Sequence, residues 1–213
     1  MSSVETFERH LRQADIVDPY GIHSEFSQTP GLHGQKIDFD RIESGSALFD
    51  EWVDVTAEAI DDLYSGGLRP EVLVAVANGT NRLVQPVAEK LGKGVVGLMT
   101  KKVEGGLVVL TPESYQRVKG IKPELAVVLD DVGTTGRNAR SAVRYTKNAG
   151  AKKVEVLYTW QRQSSLEELN NRRIRYNSII RTILPTFTPS DCAENSDGLC
   201  AQGWWLNPYS KKQ

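Results

Sequence analysis

Leu125-Ala126-Val127-Val128-Leu129-Asp130-Asp131-Val132-Gly133-Thr134-Thr135-Gly136-Arg137-Asn138 leaves this chain few ways to fold. Its front half is apolar without alternation, which suits a strand covered on both faces, as in parallel sheets flanked by helices. Two carboxylates end the strand, where open α/β sheets place their ligands. A Gly-Thr-Thr-Gly turn follows. From Arg137 to Ala149, the residues Ala139, Ala142, Val143, Thr146 and Ala149 recur at helical spacing, and Gly150 stands where a C-cap belongs. The fold class expected is α/β, with a central parallel sheet.

Such a turn has defined chemistry. Backbone N–H groups between Gly133 and Asn138 can converge on one anion at the helix N-terminus, and the Thr134 and Thr135 hydroxyls add donors. The helix dipole favours a phosphate there by about 0.3–2 kcal/mol. Each charge-assisted hydrogen bond contributes about 1.5–3 kcal/mol, so the bonds outweigh the dipole. The adjacent carboxylates Asp130 and Asp131 suit neighbouring hydroxyls or a hydrated magnesium ion. Phosphate on one side and a diol on the other describe a ribose 5-phosphate. The Gly-Lys-Ser/Thr ending of a Walker A loop is absent. Two plainer readings stay open: an ordinary strand-loop-helix with a solvated acidic pair, and a receiver-like phosphoacceptor. The second needs a downstream lysine at a strand end, which cannot be placed.

The other elements follow in order. Val4 to Ala14 reads as a helix, Asp18 to Gly21 as a turn, and Gly31 to Asp40 as part of a turn between short strands. A long helix spans Ser46 to Tyr64, with Phe49, Val53, Ile60 and Leu63 on its apolar face. Glu71 to Ala77 is a buried strand running into Asn78-Gly79-Thr80-Asn81, and a helix follows from about Arg82 to Leu91. Strand, small-residue loop and helix make either a second anion cradle or a tight α/β turn. Val95 to Met99 is a third strand, leading to Thr100-Lys101-Lys102 and Gly105-Gly106, the pattern of an exposed hairpin. Lys153 to Trp160 is a strand. Ser164 or Ser165 caps a helix to about Tyr176, each with Glu three residues on. Ser178 to Leu184 is the last strand, stopped by Pro185.

With 213 residues, 39% of them hydrophobic, the chain can bury one sizeable core. A net charge of −1 gives no footprint for nucleic acid. No apolar run approaches the ~20 residues that cross a bilayer, and Met1 to Asp18 has no signal-peptide hydrophobic region. Cys192 and Cys200, the only cysteines, do not form a secreted disulfide scaffold. A soluble, cytoplasmic, single-domain protein over 1–213 is expected.

Val127 to Gly136 resembles the phosphoribosyl diphosphate (PRPP) signature of type I phosphoribosyltransferases. Gly31-Leu32-His33-Gly34 is similar to a turn near the start of orotate phosphoribosyltransferases, and the likeness runs in order from about Tyr20 to Pro208. The resemblance implies the type I fold: a core at about 46–184, with a small hood built from 1–45 and 185–213. It implies transfer of phosphoribosyl from PRPP to an orotate-like base, with Mg2+ and release of diphosphate. Asp130 and Asp131 would hold the ribose hydroxyls, with magnesium near them through ribose or water. Val132, Gly133, Thr134, Thr135, Gly136, Arg137 and Asn138 would bind the 5-phosphate. Ala77, Asn78, Gly79, Thr80 and Asn81 would take the diphosphate with Lys101 and Lys102, and Arg82 would add a cation or be solvated. A homodimer is implied too.

The chain departs from that family at several points. Asp40 stands where orotate enzymes carry a lysine for the base's carboxylate. Thr80 replaces a glycine, Arg137-Asn138 follow the signature, and no histidine lies between Lys101 and Gly120. Phosphoribosyl transfer to a different base, or a PRPP-binding regulator without catalysis, therefore stay open. In the tail, Cys192 and Cys200 are too far apart for a tight metal hook. Trp204 and Trp205 suit burial or stacking on a base.

Overall fold

The computed structural model describes residues 2–17, 23–26, 29–35, 37–162, 166–182 and 186–187. Its helices are α1 (Ser3–Gln13), α2 (Ala47–Tyr64), α3 (Val84–Leu91), α4 (Pro112–Ile121), α5 (Arg137–Asn148) and α6 (Glu167–Asn170). Its strands are β1 (His23–Phe26), β2 (Thr29–Gln35), β3 (Val72–Ala75), β4 (Val96–Leu98), β5 (Thr100–Lys102), β6 (Val108–Leu110), β7 (Leu125–Gly133), β8 (Lys153–Gln161), β9 (Tyr176–Ile180) and β10 (Thr186–Phe187). Five strands form the central sheet in the order β4-β3-β7-β8-β9, and every pairing in it is parallel. The expected α/β class is what the chain adopts.

Strand alternation divides the interior into two layers. Leu73, Ala75, Leu125, Val127 and Leu129 pack with Phe7 and Leu11 of α1, Trp52 and Ile60 of α2, and Val87 of α3. Val72, Val74, Ala126, Val128 and Tyr158 pack on the other side with Val108, Val118 of α4, Ala142 of α5 and Leu169 of α6. β7 lies mid-sheet between these layers, which is why its sequence shows no polar face. The N- and C-terminal segments meet in a separate antiparallel sheet, β1-β2-β10, with Gly34 opposite Thr186. That is the expected hood.

Two elements differ from the sequence reading. Of the helix expected from Ser164 or Ser165 to about Tyr176, 163–165 lie outside the described residues, and the rest is not one long helix: α6 is a single turn, and β9 already begins at Tyr176. Asn170-Asn171 are weak helix formers, Arg173 takes a left-handed φ of 53°, and Leu166 and Leu169 bury fully without further turns. The last strand accordingly ends at Ile180, and 183–185 lie outside the described residues. Helix α4 went unread, although its start carries a clear signal. Thr111 caps it through the Ser114 N–H, and Pro112 occupies the first turn.

At the sheet's N-terminal end, the Glu155 side chain is 1% exposed. The Tyr64 hydroxyl donates to its Oε2 at 2.8 Å, and Lys153 Nζ and Arg175 Nη1 lie 2.7 and 3.5 Å from Oε1. Burial, and then the carboxylate itself, raise the Tyr64 pKa, so it stays a donor. Tyr64→Phe should therefore cost about 1.5–3 kcal/mol, the worth of a hydrogen bond to a buried charge. Urea denaturation reads this directly; a loss under 0.5 kcal/mol would show that the two lysine and arginine partners suffice.

Candidate active site

The C-terminal ends of β3 and β7, the start of α5 and the β5-β6 hairpin enclose a cavity of about 160 Å3. Asp130 and Asp131 form its floor. Asp130, 9% exposed, continues the Ala126-Val128 series and pairs across the ladder with Tyr158. Burial first, and then the neighbouring Asp131 charge, push its carboxyl well above the ordinary carboxylate range; Lys102 pulls the other way. Asp131 is also raised by burial. The Val132 N–H, donating at 2.8 Å to its Oδ1, opposes that shift, and the charge on Asp40 adds to it. Two carboxylates sharing one enclosed space therefore await a cation or hydroxyl donors.

Gly136 ends the loop after β7 with φ 82° and caps α5 without a side-chain acceptor. A helix start of that kind leaves its first-turn N–H groups for an outside anion. Val132, Thr134, Gly136, Arg137 and Asn138 line the cavity. The Thr135 hydroxyl instead accepts from the Arg137 N–H at 3.3 Å. Leu166 and Leu169, which sequence reasoning did not connect to the site, mould this loop from behind. A Cβ on Gly136 would come within 2.8 Å of Leu169 Cγ, and one on Gly133 within 3.2 Å of Leu166 Cδ1. Their apolar three-residue spacing was the visible signal.

Val76, Ala77, Asn78 and Gly79 line the facing wall, and the Ala77–Asn78 peptide is cis. Gly79 lies against Asp131 so closely that a Cβ would sit 2.2 Å from Oδ2. Thr80 and Asn81, expected among the diphosphate ligands, brace this loop instead. Thr80 is wholly buried; its hydroxyl accepts from the Val76 N–H at 2.9 Å and donates to the Leu129 carbonyl at 2.8 Å. Asn81 Nδ2 donates to the Thr100 carbonyl at 3.0 Å. Thr100 accepts from the Ala77 N–H at 2.8 Å. A glycine at position 80 could make none of the threonine's side-chain bonds.

Lys102 lines the cavity, whereas Lys101, one step along β5, falls on the hairpin's other face. Asp40 lines it as well. Arg82 is half-buried and does not line the cavity. Its guanidinium donates to the Ile42 carbonyl and, at 2.5 Å, to the Phe39 carbonyl, over the rings of Phe49 and Trp52. It thereby fixes the turn that carries Asp40. His33 lies on β2, while Cys192, Cys200, Trp204 and Trp205 fall outside the described residues.

Among the described residues no three His, Cys, Asp or Glu side chains cluster as a protein-only metal site. The Asp130-Asp131 pair suits magnesium in its usual manner, with one or two carboxylates and the remaining positions filled by substrate oxygens and water. Among the described residues no helix is long and apolar enough to cross a membrane.

No curated protein sequence matches the chain. Several solved structures share its fold. Orotate phosphoribosyltransferase from Aeropyrum pernix is 20% identical with a TM-score of 0.59, over 81% of this chain and 91% of that one. Mycobacterium tuberculosis H37Rv orotate phosphoribosyltransferase, in complex with PRPP, is 16% identical with a TM-score of 0.60, over 84% and 96%. Adenine phosphoribosyltransferase from Saccharomyces cerevisiae is 14% identical with a TM-score of 0.56, over 83% and 99%. The phosphoribosyl transferase domain model matches residues 39–188, which hold both cavity walls and the acidic pair between them. The chain belongs to that phosphoribosyl transferase family.

Proposed function

We propose that this chain transfers the 5-phosphoribosyl group of PRPP to a ring nitrogen of a nitrogenous base, releasing diphosphate. One observation carries the reading. A single cavity is lined by the acidic pair, by Thr134, Gly136, Arg137 and Asn138 at the open helix start, by the Ala77 to Gly79 wall and by Lys102. In this assignment the α5 start holds the 5-phosphate. Asp130 and Asp131 hold the ribose hydroxyls and balance positive charge that builds on the sugar ring as the C1–oxygen bond breaks and the nitrogen–C1 bond forms. Lys102, with N–H groups of the 77–79 wall, takes the leaving diphosphate, whose negative charge grows in the transition state. Magnesium, when bound with the substrate, would neutralise part of the diphosphate charge.

The resemblance favours an orotate-like base, but Asp40 argues for another. A carboxylate-bearing base near Asp40 would be repelled by about 1 kcal/mol with water-like screening and by more in an enclosed cavity. Diphosphate release from PRPP, assayed with orotate, uracil, adenine, hypoxanthine and guanine, decides between them. Turnover of orotate alone would overturn the Asp40 argument. PRPP binding with no turnover of any base would leave a regulator.

Both carboxyls titrate above their ordinary values in the free protein, and ligands that favour the ionised pair must expel the proton held there. Binding of magnesium-PRPP is thus expected to release protons and to tighten as pH rises from about 4 through the raised values. Calorimetry in buffers of differing ionisation enthalpy measures this. Heats independent of the buffer would show that the pair is already ionised.

A further inference from the structure

Of the described charged residues that line the cavity, Asp40 alone has no part in the assignment above. It comes from the segment that joins the hood strand β2 to α2, in the short turn Phe39–Arg41. That turn is fastened on both sides. Phe39 and Ile42 are buried, and the Phe39 ring centroid lies 4.7 Å from that of Trp52. The Arg82 guanidinium donates to the carbonyls of both residues. Arg41 is committed elsewhere, donating to the Asp15 carbonyl at 2.5 Å. The neighbours thus fix the backbone at Asp40, while the residue itself stays exposed at the cavity wall.

The charge on Asp40 is felt at Asp131, whose titration it helps to raise. It is no third ligand for a cation shared with the acidic pair, because among the described residues no three such side chains gather closely enough to hold one. With the 5-phosphate at the α5 start and the diphosphate at Lys102 and the 77–79 wall, the base is the participant left for Asp40 to meet. We propose that Asp40 selects the base, and that the site takes nitrogenous bases carrying an exocyclic amino group, whose N–H the carboxylate accepts. The assignment rests on the phosphoribosyl reading. An ionised carboxylate is an acceptor only. An amino group supplies the donor it needs, an oxo group in the same place turns lone pairs toward it, and a carboxylate on the ring is repelled. Because Asp40 is exposed, water can replace a missing donor. The discrimination should therefore be about tenfold, well short of the ratios that enclosed sites reach.

Calorimetric titration of the intact protein with nucleoside 5′-monophosphates tests this without relying on turnover. Guanosine and adenosine monophosphates are compared with inosine monophosphate, and cytidine with uridine monophosphate, so that each pair differs at one amino group. At least one aminated nucleotide should bind about tenfold tighter than its oxo partner, and orotidine 5′-monophosphate should bind weakest. Asp40→Ala should bring the ratio to within about twofold, since no acceptor remains. Asp40→Lys should invert the series, with orotidine 5′-monophosphate gaining about tenfold. Ribose 5-phosphate, which has no base, is titrated into the parent and both variants and reports that the rest of the cavity is intact. Ribose 5-phosphate binding without any preference for the amino group overturns the role of Asp40 and leaves the phosphoribosyl reading standing. So does a preference that survives both substitutions. No heat from ribose 5-phosphate or from any nucleotide in the parent overturns that reading, and this assignment with it.

Discussion

Replacing Asp130 and Asp131 together by asparagine should abolish PRPP binding and at the same time raise the melting temperature at pH 8. The two effects have one cause. Both carboxyls titrate above their ordinary values because burial disfavours the charged forms, with the Asp131 charge adding to the shift of Asp130 and the Asp40 charge adding to that of Asp131. Between the unfolded-state value near about 3.9 and the raised native value, the native protein holds more protons than the unfolded chain, so stability falls as pH rises through that window. Each unit of upward shift costs about 1.4 kcal/mol once the group ionises. Asparagine keeps the shape and carries no charge, so the variant's advantage should be greatest at pH 8 and vanish near pH 4. Binding moves oppositely. Two charge-assisted contacts of about 1.5–3 kcal/mol each are lost, which is more than 100-fold in affinity. Calorimetry and thermal scans at pH 4, 6 and 8 test both halves. A variant that melts lower than the parent at pH 8, or still binds PRPP, would refute the account of the pair.

Gly79→Ala is the second large effect, and it too should separate binding from folding. The added methyl would lie 2.2 Å from Asp131 Oδ2 and 2.8 Å from its Cγ. The obstruction is the end of one side chain, so folding should lose only about 1 kcal/mol, the low end of overpacking costs. The carboxylate, however, must swing out of the position in which the proposed function has it hold the ribose, and affinity for PRPP should fall about 100-fold. A double-mutant cycle checks the cause. In an Asp131→Ala background the three atoms nearest to the methyl are gone, and Gly79→Ala should cost no further affinity. An additive loss would mean that the alanine acts on the loop itself.

The sequence made β7, the acidic pair and the loop behind it legible because each is local: an apolar run, two charges and a turn. The hood was expected from resemblance and is seen as β2 paired with β10. What stayed hidden depends on contacts between distant elements. Thr80 looked like a ligand because its loop position suggested one, but its hydroxyl is spent on Val76 and Leu129. Arg82 looked like a cation for diphosphate, and only the fold brings the Phe39 and Ile42 carbonyls to it. The single-turn α6 defeated a capping pattern, because burial of Leu166 and Leu169, not propensity, decides where that segment turns. Helix α4 is different: Thr111-Pro112 is a local signal for its start, a cap followed by proline in the first turn.

The β2–β10 pairing carries a consequence for how the protein is made. Gly34 meets Thr186 only after the ribosome has delivered the whole of the intervening chain. The parallel sheet can assemble first, while β2 waits with one edge open to any strand that passes. On a crowded polysome that strand can belong to a sister chain, and an exchanged dimer is the product of such a meeting.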